Sequence, residues 1–247
     1  MTSIVLQYRP YNIFPLRKIE KNMPSCWDEL SPRQLQAIPL FRRGLLSETR
    51  MLQIFLGVKR TIARRIGAFQ ALLITNELSF LNKPSAVSYF AVGKISGFRA
   101  PADKLKNVNF GQFIFADTYF QSYLEGNTDD LNRFIACFYT DRVGFNENSI
   151  ENKAKIIRAA SIFRREAIAV NYALVREWLS NCYPFVFEHP YEGQKKQKSA
   201  GWVAIFDQIV GDDIVNSDSY AAKPVNEMLR FMNKQRKEYL YNGRNLR

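Results

Sequence analysis

The stretch Leu30-Ser31-Pro32-Arg33-Gln34-Leu35 constrains the fold of this chain more than any other. The Ser31 hydroxyl can accept a free backbone amide, Pro32 suits the first helical position, and Gln34 stands three residues beyond the cap. Leu30 and Leu35 can close over the start as a hydrophobic staple. A helix therefore begins at Ser31, with Leu35, Ile38, Leu45 and Leu46 on its apolar face. Pro39 removes an interior amide donor and predicts a kink or break near Ala37.

The same grammar recurs along the chain. Ser47 precedes a run from Glu48 to Leu56 that Gly57 can end with a positive φ. From Lys59 to Leu81, Ile62, Ile66, Phe69, Leu72, Leu73 and Leu78 recur at three- and four-residue intervals, which predicts one amphipathic helix with a basic start and a buried apolar stripe. Asn109 and Gln112 have capping-box spacing ahead of a helix that ends at Gly126. Asp129 or Thr128, Ser149 and Ser161 are the caps expected for three further helices. The last places Ile162, Ile168, Ala169, Tyr172, Val175, Trp178 and Leu179 along one stripe before Pro184 stops it. Trp202 to Val210 and Pro224 to Tyr241 read as two more helices. Only two places read as strand: an edge strand at Ile4 to Tyr8 and a hairpin near Val87 to Ile95.

The expected fold is thus mainly α, an irregular multi-helix bundle with a minor β-hairpin or edge strand. Its expected organisation is an N-terminal arm at 1–23, a helical core at 24–187, a polar basic linker at 188–200 and a C-terminal helical extension at 201–247. The 247 residues are 47% hydrophobic, enough for a self-sufficient core. The opening residues hold too short an apolar stretch for a signal peptide, and no run is long enough to span a bilayer, so a soluble chain, intracellular at synthesis, is expected. An odd number of cysteines, Cys26, Cys137 and Cys182, points to free thiols in a reducing compartment, and buried positions are expected for them.

Catalytic chemistry finds little to work with. His189 is the single histidine and has no cysteine at metal-ligand spacing, so neither a Cys/His zinc site nor a histidine-activated nucleophile is expected. There is no glycine-rich phosphate loop, and acidic neighbours such as Asp28/Glu29, Asp129/Asp130 and Asp212/Asp213 diverge around a helix. The expectation is a protein that is not an enzyme and carries no cofactor and no metal.

Charge offers the alternative. The formal net charge is +12, and between Arg33 and Arg65 eight basic residues face only Glu48. Between Arg230 and Arg247, six face only Glu238. Arg42, Arg43, Arg60, Arg64, Arg65, Arg236 and Lys237 are the candidate basic docking surface. They would meet acidic protein or, as the second choice, phosphate in a nonspecific nucleic-acid complex. No zinc-finger, RNP or convincing helix-turn-helix pattern supports sequence-specific readout. Phe115 and Tyr119 are the aromatic residues expected to extend outward as a protein interface.

Three segments carry a resemblance: Pro24-Ser-Cys-Trp-Asp-Glu-Leu-Ser-Pro-Arg-Gln-Leu35; Phe110-Gly-Gln-Phe-Ile-Phe-Ala-Asp-Thr-Tyr119 with Leu131-Asn-Arg-Phe-Ile-Ala-Cys-Phe-Tyr139; and Arg176-Glu-Trp-Leu-Ser-Asn-Cys-Tyr-Pro-Phe-Val-Phe187. Together they resemble small helical phage or prophage proteins of Bacteroidetes-type hosts, those of tail assembly above all. The resemblance implies a non-enzymatic role in virion morphogenesis, as a chaperone-like tail-assembly protein or a structural part of the tail or neck. It implies tail or other virion proteins as partners, the tape-measure protein and a second copy of the chain among the candidates, with DNA less favoured and no membrane. Host cytoplasm during assembly, and then the virion, are the implied locations.

Overall fold

The computed structural model describes residues 1–10, 15–187, 201–211 and 213–244. The expected linker at 188–200, with His189, lies outside the described residues, as do Asp212 and residues 245–247. The fold is mainly α, 61% helical, with eleven α-helices and two small two-stranded sheets among the described residues. The chain divides into two compact units, Met1–Val87 and Ser88–Arg247. That division falls inside the stretch 24–187 expected to form one core.

In the first unit, β1 (Thr2–Tyr8) pairs antiparallel with β2 (Arg17–Met23), Thr2 opposite Met23 and Tyr8 opposite Arg17. The arm expected to lack a core pattern is therefore a hairpin, and it buries Leu6 and Met23. In α1 (Pro32–Arg42) the predicted box is complete: the Gln34 amide donates to Ser31 Oγ at 3.4 Å, and the Ser31 amide donates to Gln34 Oε1 at 2.7 Å. Pro39 does not split α1; its missing amide falls in the last turn, where little helix remains to be disrupted. Ser47 caps α2 (Glu48–Phe55), and Gly57 follows with φ +64°.

The long helix expected from Lys59 to Leu81 is instead broken. It becomes α3 (Arg60–Ala63), α4 (Ala68–Glu77) and a 3-10 turn over Leu78–Asn82. Gly67 is extended at the break, where a glycine gives a helix little support, and Ile66 forms an antiparallel bridge with Tyr8. The strand partner and the burial of Ile66 outweigh the local periodicity.

The second unit begins with a tight hairpin, β3 (Lys94–Ile95) and β4 (Phe98–Arg99), later than the expected Val87 to Ile95. Ser96 and Gly97 turn it, both at positive φ, as a two-residue hairpin loop requires. Then come α5 (Phe110–Leu124), α6 (Asp130–Phe138), α7 (Ile150–Arg158) and α8 (Ile162–Cys182). Asn109 caps α5 through the Gln112 amide at 2.7 Å. The Gln112 side chain does not close the expected box; it donates to the buried Cys137 carbonyl at 2.8 Å. Phe120, Phe134 and Phe138 surround Tyr172 with ring centroids 4.8–5.0 Å away. On α8 the expected stripe holds except at Ile162, which is exposed, and Trp178, which is half-buried.

The described residues of the expected C-terminal extension at 201–247 fall within this second unit. α9 (Trp202–Val210) inserts Trp202, α10 (Ser217–Ala222) follows, and α11 (Val225–Arg244) buries Val225, Met228 and Leu229. The Phe110 amide donates to the Lys223 carbonyl at 2.8 Å, and the Val225 amide donates to the Val108 carbonyl at 3.0 Å. No helix among the described residues is long and apolar enough to cross a membrane.

Candidate functional site

α4 has two apolar faces. At about 100° per residue, Ala71, Ile74 and the following Leu78 point one way, and Phe69, Leu72 and Leu73 point the other. The first group is at most 2% exposed. Phe69, Leu72 and Leu73 are 74%, 56% and 48% exposed, so they are not the buried stripe that periodicity predicts for them. The helix is held from the side by Gln70, whose amide donates to the Val5 carbonyl and whose carbonyl oxygen accepts from the Gln7 amide at 3.2 Å. Covering the outer face with a partner would stabilise the complex by roughly 3–5 kcal/mol from apolar burial alone.

The chain enters this helix through basic residues. Arg60 and Arg64 lie one turn apart at α3 and its C-terminal cap, followed by Arg65, and all three are exposed. Screened surface charges of this kind add about 0–1 kcal/mol each to a contact and act more on encounter rate than on affinity.

The other expected docking residues have different surroundings. Arg42 donates from Nε to the Leu81 carbonyl at 2.7 Å and from Nη2 to the Lys83 carbonyl at 2.8 Å, and its guanidinium lies 5.6 Å from the centre of the Trp27 ring. It ties α1 to the end of the 3-10 turn. Arg43 is exposed at the end of α1. Arg236 and Lys237 belong to α11 in the second unit, with the Lys237 ammonium 5.8 Å from the Tyr241 ring centre. Phe115 and Tyr119 are half-buried on α5; the Phe115 ring lies 6.1 Å from that of Phe145. Burial pushes the Tyr119 hydroxyl above its ordinary pKa.

Sequence reasoning missed the buried carboxylate of Asp117. Its Oδ1 accepts from the Tyr172 hydroxyl at 2.7 Å and from Arg176 Nε at 2.8 Å, while Oδ2 accepts from the Trp202 indole at 2.6 Å. Trp202 is ringed by Phe110, Phe113 and Phe187, and Arg176 lies over Phe187. Burial, then the Asp117 charge, drives the Tyr172 hydroxyl well above its usual pKa. Burial disfavours the Arg176 cation, but Asp117 and Tyr172 more than offset it and the guanidinium stays charged. Both carboxylate oxygens are occupied by α8 and α9, so the arrangement fastens three helices together. No spacing rule announces it, because the partners are 55 to 85 residues away from Asp117.

Of the cysteines, Cys137 is buried as expected, but Cys26 and Cys182 are exposed, and all three are free. Among the described residues, no three His, Cys, Asp or Glu side chains come together in a way that could hold a metal ion. Compared with known protein families, curated proteins and solved structures, the chain matches none.

Proposed function

We propose that this protein is a non-enzymatic component of phage virion morphogenesis, a tail-assembly or tail/neck structural protein that works through protein–protein contacts. The observation that carries the contact mechanism is the outer face of α4, where Phe69, Leu72 and Leu73 form an apolar strip beside Arg60, Arg64 and Arg65. A strip of this chemistry suits an amphipathic helix or apolar segment flanked by acidic residues. Nucleic acid is the second choice: Phe69 can stack on a base and the arginines can meet phosphate, but Leu72 and Leu73 contribute to neither. The phage context rests on the resemblance of the three helical segments, which implies tail or other virion proteins as partners, the tape-measure protein among them.

Co-expression with tail-tube and tape-measure proteins of a Bacteroidetes-type phage tests the proposal. The wild-type chain should co-elute with one of them, and Leu72→Asp with Leu73→Asp should abolish co-elution while leaving the circular dichroism spectrum intact, since both side chains are largely exposed. Failure of the wild-type chain to bind any virion protein would overturn the proposal. So would DNA retention with a steep log-salt slope that Arg60→Glu with Arg64→Glu removes.

A further inference from the structure

A second surface lies wholly within the Ser88–Arg247 unit and is independent of the α4 strip. Residues 41 positions apart are brought together when Arg99 of β4 pairs on its other edge: the Arg99 amide donates to the Thr140 carbonyl at 2.8 Å, and the Thr140 amide returns a bond to the Arg99 carbonyl at 3.0 Å. This pairing closes a cleft of about 310 Å³ lined by Lys94, Gly97, Arg99, Asp141 and Arg142. The backbone on one side of it is held by the Ser96-Gly97 turn and by Arg164, whose Nη2 donates to the Lys94 carbonyl at 2.5 Å.

The charge in this cleft is one-sided. Lys94, Arg99 and Arg142 make no ion pair with any described residue. The one acid present, Asp141, is turned to other work: its Oδ1 accepts from the Val143 amide at 2.9 Å, and its Oδ2 lies 3.5 Å from the ammonium of Lys153. The Val143 amide bond, and then the Lys153 charge, hold the Asp141 carboxyl below its ordinary pKa. Lys153 is itself buried, with its ammonium near the Phe98 ring and bonded to the Gly144 carbonyl. The Asp141–Lys153 pair is therefore internally compensated, and three cations remain around one concavity.

We infer that this cleft binds a multiply charged phosphate group. Two arginines and a lysine line one concavity, where a polyanion can accept several charge-assisted bonds at once. No aromatic side chain lines the cleft, so recognition is of the anionic group and not of an attached base or ring. The volume is at the small end for ligand sites and accommodates a short phosphate chain. The same chemistry could come from a free polyphosphate or from consecutive phosphates of a nucleic-acid strand.

Calorimetric titration of the full chain at low salt with sodium tripolyphosphate, and separately with a short single-stranded oligonucleotide, distinguishes the two sources. Saturable binding of tripolyphosphate is expected, weakened about tenfold by Arg99→Gln and again by Arg142→Gln, with Lys18→Gln, a charge loss on β2, leaving it unchanged. Oligonucleotide binding sensitive to the same two substitutions supports the inference and identifies a strand as the source; tripolyphosphate binding alone supports it with a free phosphate compound. Absence of saturable binding to either probe overturns it. So does equal binding by wild type and by both glutamine variants with unaltered circular dichroism, or citrate binding as tightly as tripolyphosphate.

Discussion

Replacing Asp117 with alanine tests whether one carboxylate fastens the C-terminal helices to the body of the second unit. The substitution deletes the acceptor for Tyr172, Arg176 and Trp202 at once. Removing one partner of a buried ion pair typically costs about 3–5 kcal/mol, because the remaining charge stays desolvated. Here Arg176 is 34% exposed, so water screens it and lowers that cost. The enclosed Tyr172 hydroxyl and the Trp202 indole N–H lose their acceptor as well, at about 1–3 kcal/mol each when left unsatisfied. A net loss of about 3–5 kcal/mol is expected. Asp117→Asn keeps the volume but turns an NH2 group toward at least one donor, for an expected loss of about 1–3 kcal/mol. Trp202→Phe keeps most of the ring packing and removes a single bond to a charged acceptor, for about 1.5–3 kcal/mol. Urea unfolding followed by far-ultraviolet circular dichroism gives the total, and amide exchange by mass spectrometry locates it. Exchange should accelerate in α5, α8 and α9, with amides of Met1–Val87 unchanged. Because Asp117 and Trp202 touch, the double variant should lose less than the two single losses combined. A loss below about 1 kcal/mol for Asp117→Ala, or strict additivity with Trp202→Phe, would refute the reasoning.

Further expectations concern single sites. Arg42→Lys cannot reproduce the forked bonds to the Leu81 and Lys83 carbonyls, so it should destabilise the first unit by about 1–2 kcal/mol in thermal unfolding despite conserving charge. The hydrogen bond from the N-terminal ammonium, and then the Ser25 amide, hold Glu29 at a pKa of about 2 against an ordinary 4.5. Its folded-state pKa is depressed, so its stabilising contribution is present above pH 4.5 and is lost as pH falls toward 2. Acid titration of Glu29→Gln should lack that component of the unfolding curve. With a thiol reagent under native conditions, Cys26 and Cys182 should react while Cys137, buried and raised in pKa by desolvation, stays protected until the chain unfolds. Cys182 should react more slowly than a free thiol, since partial burial raises its pKa too.

Helix starts were legible wherever the cap and its target lie within one turn. The Ser31 box, the Ser47 and Asn109 caps and the positive φ at Gly57 and Gly126 are local events, and the residues that make them are neighbours in sequence. Periodicity succeeded on α8, where polar residues mark the outer face. It failed on α4 because Ala68-Phe-Gln-Ala-Leu-Leu-Ile is apolar nearly all round, so no pattern says which face is inward. That ambiguity is itself the signal that could have singled out Phe69, Leu72 and Leu73. The break at Gly67 depends on Tyr8, 58 residues away from Ile66, and the Asp117 centre and the cationic cleft depend on equally distant pairings. Long-range contacts of this kind leave no local trace in charge or spacing.

The proposed contact mechanism is tested most directly by placing the photocrosslinking residue benzoylphenylalanine at position 69 of the chain, expressed together with the virion proteins proposed as its partners, with position 143 as the control. Phe69 lies on the α4 strip, whereas Val143, 89% exposed, belongs to the second unit. Irradiation should join the position-69 chain to one virion protein and leave the position-143 chain uncrosslinked. Crosslinks at neither position, at both alike, or from position 69 to nucleic acid would contradict the claim that the α4 strip is where this protein meets its partner.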